Sequence, residues 1–161
     1  MKKKIIIVLC LIAVFLMLHQ SASAQYDRVN LAMTFGTVTD DSFSFSPFLW
    51  TAGLNLDFWI SESFIISPEC HIINSGFDFG AFILAPSVLF NMDLGGFIIG
   101  GGVTKYFLIG SEISGAPASD FALKLNTGYI GEGIRLTVFL VTSFSSLFSS
   151  NTLGANLGFY F

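Results

Sequence analysis

From Val29 to Phe161 the residues alternate, one by one, between large apolar side chains and small or polar ones, in eight blocks separated by turn residues. A period of two is the side-chain period of a strand, so each block presents one apolar and one polar face. The second block is the clearest. Phe48, Trp50, Ala52, Leu54, Leu56 and Phe58 alternate with Leu49, Thr51, Gly53, Asn55 and Asp57. The last runs Leu153, Ala155, Leu157, Phe159 and Phe161 against Gly154, Asn156, Gly158 and Tyr160. Each block is about ten residues, the length a tilted strand needs to cross a bilayer.

The connections alternate too. The turns at 60–63, 92–95 and 130–133 are tight and rich in Gly, Ser and acidic residues. The stretches near 37–46, 74–80, 109–119 and 145–151 are longer. Short turns on one side and longer loops on the other are the asymmetry of outer-membrane barrels. An even number of strands puts both chain ends on the short-turn side.

The N-terminus is set aside from this argument. Lys2, Lys3 and Lys4 precede an apolar run from Ile5 to Leu18, and Ser21-Ala22-Ser23-Ala24 supplies small residues for cleavage before Gln25. This is the pattern of an export signal at 1–24, with a mature domain at 25–161. Cys10 lacks the setting of a lipoprotein cleavage site. Cys70 is the only mature cysteine, so no intramolecular disulfide forms.

Composition decides which face is outside. The mature chain keeps four of the seven basic residues against eleven acidic ones, a formal charge of −7, and has no basic patch for nucleic acid. Its 15 charges in 137 residues are about 11%, where a soluble domain carries about 25%. One strand face is uniformly bulky and the other mostly Gly, Ala, Ser, Thr and Asn. Eight strands enclose only enough room for side chains, so the bulky face inside would overfill the lumen. Turned outward it meets lipid, and a closed barrel satisfies its backbone there. The expectation is therefore all-β: a single closed, up-and-down, antiparallel eight-stranded transmembrane β-barrel behind a cleavable signal peptide. Aromatics at the strand ends, among them Phe48 and Trp50 on the loop side and Phe58, Trp59, Phe90 and Tyr129 on the turn side, are placed as interfacial girdles.

The signal, the eight alternating strands and the terminal Gly158-Phe159-Tyr160-Phe161 resemble the small outer-membrane barrels of the OmpA/OmpX type. The resemblance covers the whole mature chain and is architectural. It implies outer-membrane location after export by the general secretion route, lipid and lipopolysaccharide as surroundings, and assembly by the barrel-assembly machinery. Leu157, Phe159 and Phe161 would form the C-terminal signal that machinery reads.

The polar face carries Asp57, Glu69, His71, Lys124 and Arg135. Buried charges need partners, so cross-lumen pairs are expected, Asp57 and Arg135 near the turn end and Glu69 and Lys124 nearer the middle. These would plug the lumen; a gated ion path is the alternative. Catalysis would need a nucleophile beside His71. Ser67 shares its face, but residues four apart on a strand are roughly 13 Å apart, so no catalytic residue is assigned. No metal or cofactor is expected. The function expected is a non-enzymatic envelope barrel serving structure or surface interaction. Three competitors stay open: a lipid-active enzyme (acyl transfer or hydrolysis), a soluble periplasmic lipid-binding barrel, and one component of a multi-chain pore.

Four local features complete the reading. Pro68 and Pro86 lie symmetrically about Phe77 and are expected to be cross-strand neighbours, with a bulge or weak seam because proline removes a ladder bond. Gly100-Gly101-Gly102 suggests a second bulge. Lys105 shares the parity of Phe107, through that bulge or by snorkelling. Asp40, Asp41, Asp78, Glu112 and Asp120 make the loop side acidic, as solvated charges or as cation-bridged contacts to lipopolysaccharide.

Overall fold

The computed structural model describes residues 29–39, 44–45, 48–76, 80–110, 120–144 and 151–161. The export signal, Asp40, Asp41, Asp78 and Glu112 lie outside the described residues. The segments are β1 (Val29–Val38), β2 (Leu49–Ser61), β3 (Phe64–Asn74), β4 (Ala81–Asp93), β5 (Phe97–Thr104), β6 (Phe107–Gly110), β7 (Ala122–Gly131), β8 (Ile134–Ser143) and β9 (Asn151–Tyr160). They pair antiparallel in the order β3-β2-β1-β9-β8-β7-β5-β4, and the β3–β4 pairing closes the ring. β5 and β6 are two parts of one barrel strand. Both pair with β4 in a single register, Ser87 opposite Thr104 and Leu84 opposite Phe107. The result is a closed eight-stranded up-and-down barrel.

Alternation explains the walls. Ala32, Thr34, Asn55, Ser67, Ser87 and Asn126 are buried inside, while Met33, Phe35, Phe64, Phe90, Leu125 and Leu136 are exposed outside. The turn between β4 and β5 needs backbone that L side chains rarely adopt: Gly95 and Gly96 have φ of 80° and 92°. The Asp93 carboxylate accepts the Gly96 N–H at 2.7 Å.

Two local expectations are corrected. Pro68 faces Val88 and Pro86 faces Cys70, so the prolines are offset by one outward position. The β3–β4 ladder runs through both without a register shift. The nitrogens that lack hydrogens point the other way. Opposite Pro68 the β2–β3 pairs jump from Asn55–Glu69 to Phe58–Ile66. Opposite Pro86 the strand breaks at Lys105-Tyr106, where the Lys105 N–H still donates to the Pro86 carbonyl at 3.1 Å and Pro86 has no N–H to return. Each proline therefore loosens the seam to its outer neighbour and makes no bulge.

The glycine run also holds register, Gly100 to Gly102 opposite Asn91 to Leu89 on β4 and Asn126 to Lys124 on β7. Its cause is crowding: a Cβ on Gly102 would fall 1.9 Å from the Val88 carbonyl oxygen. With no bulge there, Lys105 keeps the outward parity of Phe107.

Candidate functional site: the charged lumen

β2, β3, β7 and β8 each turn one or two ionisable side chains inward, and the antiparallel registers bring opposite charges to the same height. Near the short-turn end Asp57 is fully buried and Arg135 is 1% exposed. Arg135 Nη1 donates to Asp57 Oδ2. The carboxylate also accepts from Ser67 Oγ at 2.5 Å and from Tyr160 Oη at 2.7 Å. Ser67 in turn accepts from Asn91 Nδ2 at 2.9 Å, and Asn91 Oδ1 accepts from Asn126 Nδ2 at 2.8 Å. Residues of six strands, β2 included, are thus linked through one carboxylate.

Nearer the middle, Lys124 Nζ donates to Glu69 Oε1, and Asn55 Nδ2 donates to Glu69 Oε2 at 2.9 Å. His71 Nδ1 lies 3.8 Å from the same Oε1, beyond hydrogen-bond length. His71 Nε2 is 2.8 Å from Thr34 Oγ1 and 3.5 Å from Asn156 Nδ2. Thr51 Oγ1 holds that amide through Asn156 Oδ1 at 2.7 Å. The Lys124 ammonium lies 4.2 Å from the centroid of the Phe139 ring. On the loop side of this layer a cavity of about 10 Å³ is lined in part by His71, Ser87, Tyr106, Lys124 and Phe139, roughly the room one water needs.

The lumen residues read from the sequence therefore meet in two layers. Thr34, Thr51, Asn55, Tyr160 and the Asn91–Asn126 link were not singled out there. Inward parity was their only signal, since each becomes a partner through a neighbouring strand. Ser67, the one serine considered beside His71, donates to Asp57 instead. Thr34 stands against His71, its Oγ1 2.8 Å from Nε2.

On the outer wall Phe48, Phe58, Phe90 and Tyr129 are exposed. Trp50 donates its indole N–H to the Gly76 carbonyl at 2.9 Å. Trp59 sits opposite Ile65 with the inward parity of Asp57, at the turn-side rim and only partly exposed. Leu157, Phe159 and Phe161 face outward, Phe161 80% exposed. The Phe161 N–H is tied to the Leu31 carbonyl at 3.0 Å.

No protein-family model matches the chain, and no curated protein matches its sequence. Solved structures do match in fold. A structure titled as a de novo design of transmembrane β-barrels is 7% identical, with TM-score 0.55, covering 86% of this chain and all of that one. The N-terminal β-barrel domain of Pseudomonas aeruginosa OprF is 9% identical, with TM-score 0.51, covering 85% of this chain and all of that domain. The protein therefore has the fold of the small eight-stranded outer-membrane barrels. In this chain the lumen of that fold is crossed by two ion pairs.

Proposed function

We propose that the protein is a non-enzymatic integral outer-membrane barrel with a plugged polar lumen, serving envelope structure or surface interaction. The observation that carries this is the filling of the lumen: both buried ion pairs span it, and the cavity beside them is about 10 Å³. A lipid-binding soluble barrel needs an apolar lumen with room for a chain, and this interior is polar and packed. The exposed wall is apolar, which suits lipid as its solvent.

In this reading the chain is exported, folded by the barrel-assembly machinery through Leu157, Phe159 and Phe161, and surrounded by phospholipid and lipopolysaccharide. Phe48, Trp50, Phe58, Phe90 and Tyr129 mark the two interfaces from the outer face, while Trp59 stands on the inward parity at the turn-side rim.

Planar-bilayer recordings of the wild type, Glu69→Ala and Lys124→Ala test the plug. Sparse, small currents in the wild type and larger ones in the variants are expected. High currents unchanged across all three would overturn it. Envelope fractionation with boiled and unboiled gel lanes tests location. A heat-shifted outer-membrane band is expected; a soluble periplasmic protein with no shift overturns the membrane reading.

A further inference from the structure

Among the described residues three are basic, and two of them, Lys124 and Arg135, are consumed in the lumen. The third, Lys105, stands on the outer wall and is only partly buried. A cation there has to be accounted for, since a lipid-facing charge is costly at the bilayer midplane and nearly free at the interface.

Height settles which applies. Lys105 is eight residues along the same barrel strand from Phe97, which is exposed and paired with Tyr129 at the turn-side rim. A strand rising about 3.3 Å per residue and tilted about 40° gains roughly 2.5 Å of height per residue. Lys105 is thus roughly 20 Å above that rim, near the far edge of an apolar band about 25 Å tall. Phe107, two residues further on, and Phe121, immediately before β7, mark the loop-side edge. The Lys105 ammonium lies 5.5 Å from the Phe107 centroid and 5.0 Å from that of Phe121. Both rings lie within cation–π reach of the ammonium, and a lysine at this height can snorkel towards the headgroups.

We propose that Lys105, with Phe107 and Phe121, forms a docking point for the phosphate of an anionic lipid headgroup in the leaflet on the loop side. Charge complementarity selects the occupant. The mature chain is strongly acidic, and exposed Asp120 stands beside Phe121, so a phosphate meets repulsion around the loop rim and attraction at Lys105. The aromatic rings pack against the first carbons of the lipid chains while the ammonium takes the phosphate. This inference rests on the membrane-spanning reading above.

The test uses the refolded mature barrel in detergent with phosphatidylglycerol or phosphatidylcholine of matched chains, read by native mass spectrometry. Heat-shifted gel bands first establish that each protein is folded, and insertion into vesicles is scored separately. If the barrel does not insert, the membrane reading and this proposal both fall. If it inserts, the wild type is expected to retain one phosphatidylglycerol several-fold more than phosphatidylcholine. That preference should fall at least threefold in Lys105→Gln and survive in Lys105→Arg. In the wild type and in Lys105→Arg alike it should fade at high salt. Equal retention of the two lipids by the wild type, or a preference unchanged in Lys105→Gln, overturns the docking point while leaving the barrel reading intact.

Discussion

Asp57 and Arg135 meet near the short-turn end of the lumen, and Glu69 and Lys124 meet near its middle. Both are acid–base pairs buried to within a few per cent, yet their surroundings differ. Asp57 accepts from a guanidinium, a serine and a tyrosine, contributed by β8, β3 and β9. Arginine offers a planar fork of donors, and the polar chain beyond Ser67 ties two more strands to it. Glu69 accepts from an ammonium and one asparagine, with His71 just out of reach. Lysine is a point charge on a flexible stem, and here it borders a cavity. One pair is a knot in the wall; the other is a latch across an opening.

That contrast predicts unequal losses. Arg135→Met leaves the Asp57 carboxylate buried without a counter-charge, and stability should fall by about 3–5 kcal/mol. Urea titration of the folded gel band in micelles reads it, and a loss under about 1 kcal/mol would erase the distinction between the pairs. Lys124→Met should cost less, about 1–3 kcal/mol, because Asn55 and a nearby histidine still face Glu69. Adding Glu69→Gln to that variant should return stability to within about 1 kcal/mol of wild type, since no charge is then left alone. A double variant weaker than either single would show that the middle pair is also a knot.

Smaller changes test the neighbours. Tyr160→Phe removes a donor to a charged oxygen and should cost about 1–2 kcal/mol, whereas Thr34→Val removes a neutral contact to His71 and should cost about 1 kcal/mol or less. The reverse order in the same titration would move the structural weight to the middle layer. The smallest effect is expected in the wall beside the cavity, which Ala85 and Ser87 help to line. Pro86→Ala restores an N–H opposite the Lys105 carbonyl and should add about 0.5–1 kcal/mol. Slower amide exchange at Lys105 and Tyr106 is its signature; unchanged exchange would mean the break has another cause.

The strands, their faces and the closure of the barrel are legible in the sequence because alternation is local. A period of two assigns every residue of Phe48–Phe58 to a face without knowledge of its neighbours, and the size difference between the faces decides which one can fit inside eight strands. Inward charge follows from the same parity, so Asp57, Glu69, His71, Lys124 and Arg135 could be named together. The connectivity of those charges was less accessible. Which oxygen Ser67 or Tyr160 reaches, and that Thr34 rather than Ser67 meets His71, depend on the stagger between strands far apart in the chain, and no short stretch of sequence carries that stagger.

The prolines show the same boundary. Pro68 and Pro86 announce lost ladder bonds by their chemistry alone, but register decides which seam loses them, and a shift of one outward position moved the expected neighbours apart. Gly100-Gly101-Gly102 read as a bulge because glycine permits one, while the structure uses its missing Cβ to let β4 approach closely. Local periodicity determined the architecture of this protein; the pairing register, a property of the closed ring as a whole, decided which side chains touch.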